Sequence, residues 1–292
     1  MSAAALSDLS RAVDERGRVL ALERLDGGIC ELSVELPELA RRARPGEFAQ
    51  LRCGEGPVPL LRRPMSVAWV EADAVSFVFE PVGVGTRALA RLGAGDEIDV
   101  LGPLGTGFTL PAGGRRILCV AGGLGCAPFP LAAAAALAHG AVEVVVLHGA
   151  ATSERLYPAD RFRRGDARVR VVEATDNGSR GHRGFVTELV AGELEEGGAD
   201  AVWACGPNPM LAALARVLAA TPRRPAVCEV SLEAPMGCGF GTCLGCALPV
   251  HRAAGAAGAG PAWALCCRQG PAMPVEAVDW EALAQLPPAH VA

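Results

Sequence analysis

The chain has 292 residues, 51% of them hydrophobic, 4% aromatic and 20% charged, with a formal net charge of −5. That content supports real cores and excludes a disordered chain, and a mild negative charge without a long basic run leaves nucleic-acid binding no electrostatic footing. The longest apolar stretch, 128–138, is too short to span a bilayer, and the first residues lack the basic-then-apolar pattern of a signal peptide, so a soluble, cytoplasmic protein of two or three domains is expected.

Up to about residue 110 the chain reads as short strands, at 18–25, 29–36, 47–52, 65–70, 75–80 and 97–101. Turn residues such as Pro45-Gly46 and Gly93-Ala94-Gly95-Asp96 separate them. Short strands without intervening helices predict a small antiparallel barrel or sandwich. Strands then alternate with helices: strand 116–121, helix 128–138, strands 142–148 and 169–174, short helix 185–190, strand 201–205 and helix 207–219. That alternation predicts a parallel α/β sheet. From about Pro225 the chain is rich in Cys and Gly with little periodicity, a composition that needs a metal staple. The Ala/Gly tract 253–260 reads as a loop.

Eleven cysteines in a cytosolic protein argue for metal or redox chemistry rather than disulfides. Cys30, Cys53, Cys119, Cys126 and Cys228 are scattered and read as small buried hydrophobes. Cys238, Cys243 and Cys246, with the adjacent Cys266 and Cys267 further on, form the C-x4-C-x2-C…C pattern of plant-type 2Fe–2S sites. Gly237, Gly239, Gly241 and Gly245 let the backbone curl around a cluster and bring amides to its sulfurs. Structural zinc is the alternative, but its cysteines usually come as spaced pairs on both sides. One of Cys266 and Cys267 is a ligand and the other packs; spacing alone leaves the choice open.

Gly122, Gly123 and Gly125 stand where a strand gives way to a helix, a place where amides can approach a pyrophosphate. Cys205-Gly206-Pro207 ends another strand of the same sheet, and ligands of α/β sheets bind at such ends. Arg62 and Arg63 precede an apolar strand and suit a diphosphate, with Ser66 within reach of a ring heteroatom. Gly83-Val84-Gly85-Thr86 is a second candidate phosphate loop.

Arg63-Pro64-Met65-Ser66, the glycine loop and Cys205-Gly206-Pro207, in that order, resemble the ferredoxin–NADP reductase superfamily. The terminal cysteine pattern narrows the resemblance to the electron-transfer subunits of NAD-dependent dihydroorotate dehydrogenases. Cys267-Arg268-Gln269-Gly270-Pro271 is similar to that family's Cys-x-Asp-Gly-Pro, which implies Cys267 as fourth ligand. Met65 replaces an aromatic residue of the wider superfamily, and Gln269 stands where Asp is typical. Relatives serving other complexes often carry Asp as first cluster ligand, where this chain has Cys238.

The resemblance implies an α+β multidomain chain: an antiparallel β-barrel FAD domain at 1–112, a parallel α/β NAD domain at 113–224, and a small C-terminal 2Fe–2S domain at 225–292. Arg63, Pro64, Met65 and Ser66 would hold FAD, with Phe79, Glu80, Pro81, Gly85 and Thr86 completing its site. NAD would lie across Gly122, Gly123, Gly125, Gly206 and Pro207, with Cys205 as the catalytic residue beside the nicotinamide. Cys238, Cys243, Cys246 and Cys267 would hold the cluster. The implied partner is an FMN-containing dihydroorotate dehydrogenase catalytic subunit, two of each in a heterotetramer, whose electrons would pass through the cluster and FAD to NAD+.

Overall fold

The computed structural model describes residues 6–54, 56, 59–252 and 262–286; the tract 253–260 lies outside them. Six strands close the barrel: β1 (Val13–Arg24), β2 (Cys30–Glu35), β3 (Phe48–Leu51), β4 (Arg63–Glu71), β5 (Ala74–Phe79) and β6 (Glu97–Leu104), in the order β1-β2-β5-β4-β3-β6. All neighbours run antiparallel. Helix α1 (Pro37–Arg42) follows β2 and α2 (Val84–Leu89) follows β5. Period-two alternation explains the closure. Leu32 and Val34 of β2, Ala49 and Leu51 of β3, and Val75, Phe77 and Phe79 of β5 fill the interior. Strand β1 starts earlier than its apolar residues suggest because Val13–Arg18 pairs with β6. The charged side chains at Asp14, Glu15 and Arg16 conceal that pairing from a hydrophobicity reading.

The second unit is a sheet of β7 (Arg116–Gly122), β8 (Glu143–Ala150), β9 (Val169–Thr175), β10 (His182–Arg183), β11 (Ala201–Cys205), β12 (Val227–Ser231) and, beyond two strands still to be placed, β15 (Ala272–Pro274). The order is β10-β9-β8-β7-β11-β12-β15, parallel except at β15. Helices α3 (Phe129–Ala138), α4 (Ala159–Arg163), α5 (Glu188–Glu196) and α6 (Asn208–Ala220) cover it. Ile117, Cys119 and Ala121 of β7 pack with α3, while Leu118 and Val120 pack with α5 and α6. Burial on both faces is what gives these strands their unbroken apolar runs.

Two expectations need correction. The helix anticipated at 185–190 begins later, at Glu188, and runs on to Glu196. Phe185 is exposed, and Val190 and Leu194, four apart, form the buried stripe that carries the helix through Gly192. The chain after Pro225 is also more regular than its composition suggests. Strand β12 pairs in register with β11, Ala201 opposite Val227 and Cys205 opposite Ser231, so the sheet draws on residues beyond that point. Strands β13 (Ala247–Val250) and β14 (Ala262–Leu265) form a hairpin-like pair, followed by α7 (Cys266–Gln269) and α8 (Trp280–Leu283). Cys30, Cys53, Cys119, Cys126 and Cys228 are all buried. Among the described residues no helix is long and apolar enough to cross a membrane.

The barrel meets the sheet unit through apolar and ionic contacts. Phe108 stacks on Trp203 (centroids 5.3 Å apart) and on Phe129 (5.9 Å). Glu31, on the outer face of β2 and 5% exposed, accepts from Tyr157 Oη (2.8 Å), Arg164 Nη2 (2.6 Å) and Arg161 Nη1 (3.3 Å). Arg164 also lies 5.1 Å over the ring of Trp69. Burial, and then the charge of Glu31, push the Tyr157 hydroxyl far above its usual range, so it stays a donor.

Removing the carboxylate leaves the Arg164 guanidinium and a buried phenol without their acceptor, while Arg161 keeps Glu23. Glu31→Ala is expected to cost about 2–4 kcal/mol, the lower part of the range for broken buried pairs because both arginines keep some solvent; denaturant unfolding reads it. A second expectation concerns His148, fully buried on β8, whose imidazole is held down to about 4 from its ordinary 6.5, chiefly by burial. The unfolded chain therefore binds a proton below pH 6.5 that the folded chain refuses until about pH 4. Stability should fall across that window by about 3 kcal/mol. His148→Phe should flatten the slope of unfolding free energy against pH between those limits.

Candidate functional site

The first group of residues sits on the β3–β4 ladder. Phe48 pairs with Ser66, Ala49 with Met65, Gln50 with Pro64 and Leu51 with Arg63. Met65 packs with the barrel interior, as do Ala49 and Leu51. Cross-strand partners share a face, so Pro64 and Ser66 lie on the outer surface beside Phe48 and Gln50. Arg63 Nη1 donates to the Leu61 carbonyl at 2.7 Å, and its guanidinium covers Gly85, where an added Cβ would stand 2.8 Å from Arg63 Nε. Thr86 Oγ1 accepts from the Gly83 amide (3.0 Å) at the start of α2. The structure thus gathers Arg63, Gly85 and Thr86 in one place. Phe79 is turned into the barrel core, and Glu80 beyond it accepts both bonds of a bidentate pair from Arg155 Nη2 at 2.7 Å. Pro81 is partly exposed at the start of the following loop.

The second group lies at the carboxyl ends of β7 and β11, which are neighbours with Ala121 opposite Cys205. Residues Gly123–Cys126 form one 3-10 turn leading into α3. The two loops touch so closely that an added Cβ on Gly125 would stand 2.1 Å from the Cys205 carbonyl oxygen. One on Gly122 would stand 2.4 Å from Met210 Sδ and 3.2 Å from Pro207 Cδ. His148 Nε2 donates to the Gly123 carbonyl (3.3 Å) from beneath the turn. Cys205 is 8% exposed and burial raises its thiol to about 12, so it presents a neutral, compact surface at the strand end. Neutrality fits a packing or positioning contact with a ligand and argues against nucleophilic attack.

The third group is the cysteine loop. Leu244 and Gly239 both adopt positive φ (60° and 84°), as a chain curling around a group requires. Cys246 Sγ and Cys267 Sγ lie 3.2 Å apart, and the Cys243 amide donates to Cys238 Sγ at 3.5 Å. Burial raises the Cys238 thiol, but the amides of Cys243, Phe240 and Thr242 and the Cys243 side chain bring it down to about 7. The hydrogen bond between the two sulfurs holds Cys246 below its usual range and Cys267 above it. Among the described residues no three His, Cys, Asp or Glu side chains gather tightly enough for a single metal ion. The sulfurs instead approach as two pairs, Cys238 with Cys243 and Cys246 with Cys267, which suits a group presenting two metal atoms. The residues therefore fit a 2Fe–2S cluster. Cys266, by contrast, is fully buried and its Sγ donates to the Leu232 carbonyl (3.5 Å).

Backbone bonds tie these groups together. Thr106, just after β6, donates to the Gly270 carbonyl (2.6 Å) and accepts from the Ala272 amide (3.3 Å), and the Leu232 amide donates to the Pro271 carbonyl (3.0 Å). Phe48 packs in the same apolar cluster as Cys246, Cys266 and Cys267. Sequence reasoning assigned no role to Phe48, Gln50, Arg155 or His148. The signal for Gln50 was present: a lone amide between Ala49 and Leu51 in an apolar strand. Arg155 becomes visible only when the barrel and the sheet unit are placed together, and His148 only when β8 is set beside β7.

Residues 119–216 match the family model described as an oxidoreductase NAD-binding domain, and 233–279 match the iron–sulfur cluster binding domain of dihydroorotate dehydrogenase B. A dihydroorotate dehydrogenase B (NAD(+)) electron transfer subunit from Desulforamulus reducens is 35% identical over 266 residues, covering 90% of this chain and 97% of its own. The corresponding subunit of Bacillus caldolyticus is 37% identical over 246 residues, 82% of this chain and 89% of that one. Among solved structures, an NADH-dependent reduced ferredoxin-NADP oxidoreductase is similar with a TM-score of 0.76 at 28% identity, covering 92% of this chain and 91% of that chain. A Neisseria gonorrhoeae ferredoxin NADP+ reductase with bound FAD and NADP shares the fold, with a TM-score of 0.61 at 21% identity over 74% of this chain and 97% of its own. The chain is an NAD(H)-linked flavin and iron–sulfur oxidoreductase with FAD, NAD and a 2Fe–2S cluster as cofactors. It belongs to the family of dihydroorotate dehydrogenase B (NAD(+)) electron transfer subunits.

Proposed function

We propose that this chain takes electrons from an FMN-containing dihydroorotate dehydrogenase catalytic subunit and delivers them to NAD+ in pyrimidine biosynthesis, in the cytoplasm, within an assembly of two copies of each subunit. The observation that carries the reading is the cysteine loop, complete at all four positions and packed against the outer face of the barrel strand β3. When bound, the cluster transfers single electrons and the flavin joins them into the pair that NAD+ accepts as hydride.

The chain's own residues position those groups. Cys238, Cys243, Cys246 and Cys267 hold the cluster. Arg63 supplies positive charge for the FAD diphosphate, with Gly85 and Thr86 beside it, and Pro64, Met65 and Ser66 line the flavin strand. Phe79, Glu80 and Pro81 frame its far end, and the Arg155–Glu80 pair holds that end to the sheet unit. Gly122, Gly123 and Gly125 leave room for the NAD pyrophosphate, Gly206 and Pro207 shape the opposite wall, and Cys205 abuts the nicotinamide. The same reading divides the chain at 1–112, 113–224 and 225–292 by cofactor, with β12 and β15 lending the last segment to the NAD sheet.

A second reading, the reductase subunit of another redox complex, draws on the similarity to the ferredoxin-NADP oxidoreductase. Purification from the native source separates the two. Co-purification with an FMN-containing barrel subunit is expected, whereas a hydrogenase-like or glutamate-synthase-like partner would favour the second. The isolated chain is expected to oxidise NADH with an artificial acceptor yet leave dihydroorotate untouched; dihydroorotate oxidation without a partner would contradict the division of labour.

Replacing one ligand separates the cluster from the flavin. Cys243→Ser is expected to lose the iron–sulfur absorbance and to slow electron delivery from the partner by more than about 10²-fold, the upper end of losses seen for mere outer-shell changes at metal sites. Its FAD content and NADH oxidation with an artificial acceptor should stay close to those of the parent. Loss of FAD in that variant would contradict separate flavin and cluster sites.

A further inference from the structure

Strand β3 has two faces. Ala49 and Leu51 point into the barrel. Phe48 and Gln50 point out, where Phe48 packs with the cysteine-bearing segment. Gln50 is fully buried, and neither Nε2 nor Oε1 has a hydrogen-bond partner among the described residues. An amide in that condition is costly, and a Met or Leu of similar size would fill the same space without the cost. Its place is therefore informative.

The amide lies against the cysteine loop. An added Cβ on Gly239 would stand 2.7 Å from both Gln50 Cγ and Nε2, so only a glycine admits the contact. Gly239 directly follows Cys238 and has a φ of +84°, within the left-handed region. On the other side, Gln50 is the cross-strand partner of Pro64 on the flavin strand. Its backbone carbonyl accepts from Arg62 Nη1 (3.4 Å), and the same nitrogen bonds Asp14 Oδ1 (2.9 Å). The side chain is thus held between the strand that carries the flavin residues and the loop that carries the sulfurs.

We propose that Gln50 is a positioning residue for the iron–sulfur cluster, its Nε2 hydrogens, which bond no cysteine sulfur in this structure, donating to a sulfur of the cluster from the barrel side once the cluster is bound. The inference rests on the reading of the four cysteines as ligands and goes beyond it, since the donor comes from another part of the chain. A hydrogen bond to sulfur favours the more negative, reduced cluster and raises its potential. Gln50 therefore eases electron entry at the cluster. It also fixes how the loop sits against the flavin strand.

The test uses the full-length chain loaded with FAD and cluster, with Gln50→Met as an apolar side chain of similar length. In a redox titration followed by electron paramagnetic resonance, the cluster midpoint of Gln50→Met should fall by about a tenfold change in its reduction equilibrium, 59 mV for one electron. The spectrum of the reduced cluster should shift, and the flavin midpoint, read from its absorbance, should not move. Without the cluster, Gln50→Met should melt higher than the parent, because an unbonded buried amide is gone. Gln50→Asn keeps the amide but withdraws it by one methylene, and should lower the midpoint as Met does; it carries the same test should the Met variant fail to fold. An unmoved cluster midpoint and spectrum, or a shift confined to the flavin, would overturn the proposal. A parent protein without iron would overturn the ligand reading as well, which keeps the two failures distinct.

Discussion

The short strand β3 is asked to do two incompatible things, and period-two alternation lets it do both. Its inward residues, Ala49 and Leu51, close the barrel against Val67 and Val100. Its outward residues, Phe48 and Gln50, meet the cysteine segment and share a face with Pro64 and Ser66. A register slip of one residue would exchange the two sets and place an amide in the barrel core. The ladder on both sides prevents it, with β4 paired at four positions and β6 along the opposite edge. Strand β4 and the cysteine loop are thus held at a fixed distance by the same four residues.

The nucleotide side is organised by a steric constraint. Parallel strands β7 and β11 are adjacent, so their two loops emerge side by side. At Gly125 and Gly122 there is no volume for a side chain, because the Cys205 carbonyl and the Met210 thioether already occupy it. The glycines therefore serve the approach of one loop to the other as much as the approach of a ligand. His148 completes the arrangement from below, its neutral imidazole bonded to the Gly123 carbonyl.

Much of this was legible in the chain itself. The barrel strands and the β7–α3 and β11–α6 units follow from local period and turn chemistry, and strand 201–205 coincides with β11. The glycine-loop and cysteine motifs were readable for the same reason: their chemistry is concentrated in a few consecutive residues. What escaped depends on pairing at a distance. Strand β12 carries Glu229 at its centre, where β11 is apolar throughout, and only β11 beside it makes it a strand. The start of β1 is charged, and its pairing with β6 spans most of the barrel. Arg155 finds Glu80 only because the fold sets the barrel against the sheet unit.

Glu31 and Gln50 make the argument about interfaces. Both are polar, both are buried, and both point outward from the barrel, one toward the sheet unit and one toward the cysteine loop. Apolar contact alone lets two surfaces slide, since any well-packed offset gains similar area; a buried polar group gains only in the offset that supplies its partner. Glu31 has its three donors in place and so defines one position of the sheet unit. Gln50 faces the cysteine loop, so the offset it selects is the one that brings that loop to β4. The barrel, which contributes none of the four cysteines and neither of the nucleotide loops, thereby sets the geometry between them.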